Sequence, residues 1–144
     1  LYEVKAGGTS IWERWDALRP DGTVNLGKDP GSGLVNAVGG GMVSFNHYAN
    51  GAVGDWLYRR VAGLEAIEPG YKKFKVAPLV GGGLTSVSCF KKLSSGTIKI
   101  NWNFENGVFV LSINVPFNTS AVITLPDGKS FEVSSGKYVY SVEM

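Results

Sequence analysis

One glutamate stands between two tryptophans near the start of this chain, in the stretch TSIWERWDALRPDG. If these residues are extended, side chains alternate in direction, so Glu13 and Trp15 point to one side and Trp12 to the other. Aromatic faces stack on the C–H faces of sugar rings, and carboxyl groups transfer the protons in glycoside hydrolysis. Glu13 is therefore a candidate proton-transfer group at a sugar site. The alternative is a surface ion pair with Arg14 or Arg19.

The single histidine of the chain, His47, falls at the start of a predicted helix, directly after a glycine-rich stretch. A lone histidine there is commonly a capping or core residue, but the neighbouring loop leaves a site role open. With no second histidine and one cysteine, the sequence predicts no metal site. That cysteine, Cys89, lies in an alternating, strand-like octet and is expected to pack as a small apolar residue. No cofactor is predicted.

Composition excludes several classes of protein. The 144 residues are 44% hydrophobic and 18% charged, which is typical of a globular protein with a real core. The formal net charge is +2 and the basic residues are scattered, so no nucleic-acid partner is predicted. No apolar run approaches the roughly 20 residues of a membrane span, so no membrane partner is predicted either. The compartment is left undetermined.

The secondary structure that must position Glu13 and His47 is predicted from the sequence pattern, which changes near residue 70. Residues 17–43 are rich in Gly, Pro and Asp, as in a long loop. Residues 44–66 have the spacing of one amphipathic helix, with Ser44 as its expected N-cap. From residue 71 the period becomes two, in six or seven short runs separated by turn signals such as Glu-Asn-Gly and Pro-Asp-Gly. This spacing predicts an antiparallel β-sandwich over residues 71–144.

Two long, aromatic-rich motifs in this order, GGTSIWERWD and SFNHYANGAVGDWLYRRVAGLEAIEPGYKKFKVAP, resemble the C-terminal part of bacterial α-L-rhamnosidases of glycoside hydrolase family 78. The resemblance covers about residues 1–78, and the strand-rich remainder fits the family's C-terminal domain. It implies an α+β chain, in which residues 1–70 form the last helical part of an (α/α)6 catalytic barrel. Residues 71–144 would form the antiparallel β-sandwich domain that follows.

The resemblance also implies an activity and roles for four residues. The family hydrolyses terminal α-L-rhamnosides in glycans or glycosides with inversion. Glu13 matches the general base, His47 a rhamnose contact, and Trp15, together with Trp12, the ring-stacking walls. The family's general acid comes from an acidic motif far upstream, so this chain alone is expected to be inactive. The stretch 17–43 is longer than the family's usual connection, which leaves the leaving-group side of the site undefined.

Two other functions stay open at this level. Residues 71–144 could be a carbohydrate-binding module, or a purely structural domain that supports the barrel. The aromatic residues of its strands alternate into core positions, which argues against a binding platform. The predicted helix needs a cover for its apolar face, and we expect the N-terminal part of the same protein, or a second copy of this chain, to provide it.

Overall fold

The computed structural model describes residues 2–26 and 42–144 of the chain. The chain divides into two compact units, residues 1–53 and 54–144. None of the described helices is long and apolar enough to cross a lipid bilayer. The predicted fold class, a short helical part followed by an antiparallel β-sandwich, is confirmed.

The first unit is built from short helices and turns. Helix α1 spans Tyr2–Lys5, and helix α2 spans Tyr48–Gly51. Between them, an isolated bridge joins Leu18 to Val24 around the Pro-Asp-Gly turn. The Tyr2 hydroxyl donates to the Leu18 carbonyl at 2.6 Å, so α1 is tied to this turn.

The predicted single helix over residues 44–66 is wrong in its extent. Helical structure begins only with α2, continues in α3 (Val53–Trp56), and ends in a π-helical turn, Leu57–Val61. The first residues are not helical because they pair with another segment, as described below. An added Cβ at Gly51 or Gly54 would meet no atom within 4 Å, so no close contact of the described residues requires glycine at either position.

The second unit is a sandwich of two four-stranded sheets. The first sheet has the order β1-β2-β6-β7 and the second the order β3-β4-β5-β8. The strands are β1 (Leu64–Ala66), β2 (Lys73–Val76), β3 (Ser86–Leu93), β4 (Gly96–Glu105), β5 (Val108–Val115), β6 (Ser120–Thr124), β7 (Ser130–Val133) and β8 (Gly136–Glu143). A 3-10 turn, Pro69–Tyr71, connects β1 to β2.

One pairing departs from the antiparallel prediction. Strands β2 and β6 are parallel neighbours, with Phe74 opposite Ala121 and Val76 opposite Ile123, and every other pairing between the eight strands is antiparallel. Parallel neighbours need a long connection, and here the whole β3-β4-β5 meander lies between the two strands in the chain. The two sheets are therefore joined through this crossover, which local sequence patterns do not encode.

Alternation along the strands builds the core between the sheets. On β4, the side chains of Ile98, Ile100 and Trp102 are buried and Phe104 packs partly buried against them, as their shared face predicts. The facing sheet contributes the fully buried Phe74 and several smaller side chains. These residues, and not the exposed polar positions between them, carry the hydrophobic stabilisation of this unit.

The core also fixes the end of the helical segment. The indole N–H of the buried Trp102 donates to the Val61 carbonyl at 2.9 Å, which supplies a partner for both groups. Two residues later, Gly63 has a φ of +79°, the left-handed conformation that ends many helices. A Cβ at this position would lie 2.3 Å from the carbonyl carbon of Ala77 and from the nitrogen of Pro78. Only glycine fits between the helix end and this backbone.

Replacing Gly63 by alanine tests this close approach. Gly63→Ala combines a left-handed backbone with a clash against main-chain atoms that cannot rotate away, so we expect a loss of about 3–5 kcal/mol in the free energy of unfolding. Gly82→Ala is the matched control, because Gly82 has a φ of +64° and no atom within 4 Å of an added Cβ. It should cost only about 1–2 kcal/mol. Urea unfolding measures both, and equal losses would contradict the packing argument.

Candidate functional site

Two segments far apart in the sequence are held side by side by backbone hydrogen bonds. The Glu13 N–H donates to the Ser44 carbonyl at 2.8 Å, and the His47 N–H donates to the Ile11 carbonyl at 2.9 Å. The Ser10 hydroxyl adds a third bond, to the Phe45 carbonyl at 2.7 Å. This pairing places the main chain of the first motif beside that of the second.

The Glu13 carboxylate takes part in the same pairing. Its Oε2 accepts a hydrogen bond from the Ser44 backbone N–H at 2.8 Å, so Glu13 and Ser44 exchange two bonds. A charged acceptor makes a stronger hydrogen bond than a neutral one, so this bond is a firm anchor for the side chain. The other oxygen, Oε1, has no hydrogen-bond partner among the described residues. Within the described residues, the carboxylate is therefore held by Oε2.

A cleft of about 520 Å³ opens at this glutamate. Its floor and walls combine carboxyl, amide, aliphatic and aromatic groups, which suits a ligand with both apolar faces and hydroxyl groups. Trp12 is only 5% exposed and Trp15 is 76% exposed, so one indole is fixed and the other stands in solvent. The described residues that line the cleft are Glu3, Val4, Ile11, Trp12, Glu13, Trp15, Asn50 and Val53.

The predicted strict alternation of an extended strand does not hold beyond Glu13. The chain turns there, and the Ala17 N–H donates to the Arg14 carbonyl at 3.1 Å. Both tryptophans nevertheless reach the cleft. Trp12 is fixed by an edge-to-face contact with Phe45, with ring centroids 5.1 Å apart, and by the close approach of Gly8.

His47 caps helix α2. Its Nδ1 accepts a hydrogen bond from the Asn50 backbone N–H at 3.4 Å, so the predicted Ser44 cap is wrong. The Ser44 hydroxyl instead accepts a bond from the Asn46 N–H at 3.2 Å, within the segment that precedes the helix. Because Nδ1 acts as an acceptor, the neutral ring carries its proton on Nε2. His47 therefore offers an N–H donor to a ligand.

The residues after the motif form a tight turn in which the two arginines have other partners. Arg14 lies 3.6 Å from the Asp16 carboxylate, and Arg19 donates to the Asn25 side chain at 3.2 Å. Hydrogen bonds from the Thr23 hydroxyl and backbone N–H hold the pKa of Asp21 below its usual value. No ion pair joins Glu13 to either arginine in residues 2–26 and 42–144, so the surface-pair alternative finds no support there.

The sequence predicted Glu13, His47, Trp12 and Trp15 as site residues, and their roles stay predictions. The structure brings the glutamate and both tryptophans to one cleft, with His47 on the paired segment. Sequence reasoning missed Asn50, whose side chain donates to main-chain carbonyls of the first motif. It also missed Glu3, a second carboxyl group at the cleft. Asn50 lies three residues after His47 in the second motif, and this position could have marked it as a candidate. No feature of the sequence marks Glu3.

A second, apolar groove of about 450 Å³ lies in the other unit, between the π-helical turn and β3. Cys89 is on its wall, where burial raises the pKa of the thiol, only partly offset by Lys91. A thiol in this state is a poor nucleophile, so the expectation that Cys89 packs as a small apolar residue holds. Over the described ranges, no three His, Cys, Asp or Glu side chains come close enough to bind a metal ion.

Comparison with known proteins places these features in a family. The family model for the bacterial alpha-L-rhamnosidase 6 hairpin glycosidase domain matches residues 1–61. The model for the bacterial alpha-L-rhamnosidase C-terminal domain matches residues 63–140. The chain therefore belongs to the bacterial α-L-rhamnosidase family, with the end of the helical glycosidase domain followed by the β-domain.

Individual relatives agree over nearly the whole chain. An α-L-rhamnosidase of Streptomyces avermitilis is 32% identical over 98% of this chain, and one of Formosa agariphila is 34% identical over 90%. The chain spans only 14% and 13% of their lengths. The crystal structure of the Aspergillus terreus enzyme matches with a TM-score of 0.75 at 36% identity, over 98% of this chain and 15% of that one. The Streptomyces avermitilis enzyme in complex with L-rhamnose matches with a TM-score of 0.74 at 33% identity, over 99% and 14%.

Replacing Gly8 by alanine tests whether the wall of the cleft is rigidly packed. A Cβ there would lie 2.9 Å from the Glu3 carbonyl oxygen and 3.1 Å from two ring atoms of Trp12, so the indole must move. We expect a loss of about 1–3 kcal/mol in the free energy of unfolding. Gly51→Ala, which adds a Cβ with no atom within 4 Å, should be neutral or stabilising. Urea unfolding compares the two, and a neutral Gly8→Ala would contradict the packing.

Proposed function

We propose that this chain is part of an inverting α-L-rhamnosidase and supplies its general base, Glu13. The observation that carries the proposal is the cleft itself. A carboxylate held by one oxygen lies beside a fixed indole and an exposed one, on the segment that pairs with the histidine motif. The family membership and the L-rhamnose named for the Streptomyces avermitilis relative favour a terminal α-L-rhamnoside in a glycan or glycoside as substrate.

The proposed chemistry follows from the two oxygens of Glu13. With Oε2 bonded to the Ser44 N–H, Oε1 accepts a proton from a water molecule as that water attacks the anomeric carbon. The attack occurs on the face of the sugar opposite the leaving group, and the configuration inverts. His47 donates from Nε2 to a sugar hydroxyl, and Trp15, with Trp12 behind it, stacks on the ring.

Inversion needs a second carboxyl group as general acid, about 6.5–9.5 Å from the first. We propose that this acid comes from an acidic motif upstream of this chain, as the family resemblance implies, and that the chain alone is inactive. Glu3 also lies at the cleft, and we assign it no proton transfer. No step of this mechanism uses a metal or a cofactor.

The β-sandwich has a structural role in this proposal. Five aromatic side chains of the strands are in the core or pack on it: Trp102, Phe104, Phe109, Tyr138 and Tyr140. Phe90 on β3 and Phe117, beyond the end of β5, are exposed, at 60% and 79%. A domain without an exposed aromatic row is better suited to support the catalytic part than to bind sugar. The division of the chain at residue 70 stays a prediction, and strand β1, which precedes it, pairs with β2 in the first sheet.

The helical segment carries apolar side chains that need a cover. Trp56, Leu57 and Tyr58 are each about half exposed, at 50%, 48% and 46%. Exposed apolar clusters of this kind mark interaction surfaces. We propose that further parts of the same polypeptide, which is several times longer in the relatives, pack on them. A second copy of this chain is the alternative cover when the chain is isolated.

The role of Glu13 is tested in the full-length protein with Glu13→Gln. Glutamine keeps the shape and the contact with the Ser44 N–H but cannot accept a proton. Because one positioned base contributes about 10²–10⁴-fold to the rate, kcat for an aryl α-L-rhamnoside should fall by at least that order. Glu105→Gln, at the exposed end of β4, is the matched control and should keep wild-type turnover. Near wild-type turnover by Glu13→Gln would refute the assignment.

The role of His47 is tested with His47→Ala in the same full-length protein. A residue that binds the sugar in the ground state and the transition state alike affects KM, while a proton-transfer group affects kcat. Loss of one ligand hydrogen bond of about 1–2 kcal/mol should raise KM roughly 5- to 30-fold and change kcat less. Steady-state kinetics with the aryl rhamnoside separates the two constants. A fall confined to kcat would exclude the binding role.

A further inference from the structure

Asn50 contacts both halves of the site at once. Its side-chain Nδ2 donates to the Trp12 carbonyl at 3.1 Å and to the Glu13 carbonyl at 3.3 Å. Its backbone N–H donates to His47 Nδ1 at 3.4 Å. The side-chain bonds join residues 38 and 37 positions apart in the sequence, so they are not part of the local bonding of helix α2.

The two carbonyls that Asn50 holds belong to the peptide groups on either side of the Glu13 Cα. The orientation of the preceding peptide fixes φ of Glu13, and the orientation of the following one fixes ψ. These two angles set the direction of the Cα–Cβ bond. The Glu13 segment is neither helix nor strand, so no regular hydrogen-bond ladder fixes them instead. The Asn50 amide thus holds both peptide groups by their carbonyls, and the Glu13 N–H bond to the Ser44 carbonyl holds the first of them from its other end.

The same residue determines the state of the histidine. By donating its backbone N–H to Nδ1, Asn50 leaves the proton of the neutral ring on Nε2. The ring also lies nearly parallel to that of the exposed Tyr48, with centroids 6.3 Å apart. Asn50 is on the wall of the cleft itself, among the residues that a ligand would meet.

We propose that Asn50 is a positioning residue that fixes the Glu13 carboxylate and the His47 ring relative to one another for rhamnoside hydrolysis. This inference rests on the proposed function. Catalysis by a positioned group is sensitive to small displacements, and a shift of about 1 Å can cost about 100-fold in rate. Asn50 acts through Glu13 and His47 and takes no part in proton transfer.

The test uses the full-length protein with Asn50→Asp and Asn50→Ala. Aspartate keeps the size but turns the donor into an acceptor, which repels both carbonyls. We expect kcat for an aryl α-L-rhamnoside to fall about 10- to 100-fold in both variants, with KM changed less than about threefold. In Asn50→Asp the acidic limb of the pH profile of kcat/KM should also move to higher pH, because a further negative charge opposes ionisation of Glu13. Asn50→Ala should leave that limb in place.

The titratable groups on the neighbouring elements are unchanged in both variants: Glu3 from α1, Arg14 and Asp16 in the adjoining turn, and His47 at the start of α2. Asn103→Asp, on the exposed face of β4, makes the same substitution away from the site and should leave kcat, KM and the pH limb unchanged. Thermal unfolding identifies any variant that fails to fold. If Asn50→Asp fails, the kcat and KM of Asn50→Ala decide the question.

The outcomes separate this inference from the proposed function. If Glu13→Gln loses activity while both folded Asn50 variants keep wild-type kcat, Asn50 does not position the base and the inference is wrong. A rise in KM with unchanged kcat would also overturn it, because that result describes a ligand contact. If Glu13→Gln keeps its activity, the proposed base is wrong and the positioning role fails with it.

Discussion

The first unit depends on the reciprocal pair of hydrogen bonds between Glu13 and Ser44. One bond uses the main chain of both residues, and the other joins the Glu13 carboxylate to the Ser44 N–H. Their positions differ by 31 in the sequence, so the pair closes a long loop whose entropy must be offset. The Ile11–His47 and Ser10–Phe45 bonds extend the pairing on either side. Together these bonds hold the two motifs in one geometry.

The anchoring bond also orders the Glu13 side chain. A carboxylate that is anchored through one oxygen loses much of its rotational freedom before any ligand arrives, which would lower the ordering cost of the proposed reaction. The buried Trp12 limits the backbone further, because its indole is enclosed by Phe45 and by the close approach of Gly8. Trp12 is packed rigidly and Trp15 is exposed, so the cleft has one fixed wall and one wall that solvent reaches. A binding site needs both rigidity and access.

The sequence predicted the parts of the structure that local patterns encode. Alternation on β4 gave the buried face of Ile98, Ile100 and Trp102, because each side chain follows from the period of two. The parallel contact of β2 with β6 was not predictable, since it depends on the path of three intervening strands. The neighbours of Glu13 made it a candidate site residue, but the Ser44 N–H that anchors it is a main-chain donor. Every non-proline residue has such a donor, so no residue type marks it.

The hydrogen bond from Trp102 to Val61 has a consequence for exchanging modules between relatives. The two family models meet between residues 61 and 63, yet this bond crosses that junction. A recombinant β-domain that begins at residue 63 keeps the buried indole N–H without its acceptor, which costs about 1–3 kcal/mol. Starting the domain at residue 63 also removes Val61 from the core cluster. A transplantable β-domain must begin at or before Leu57 and bring the last turn of its neighbour with it.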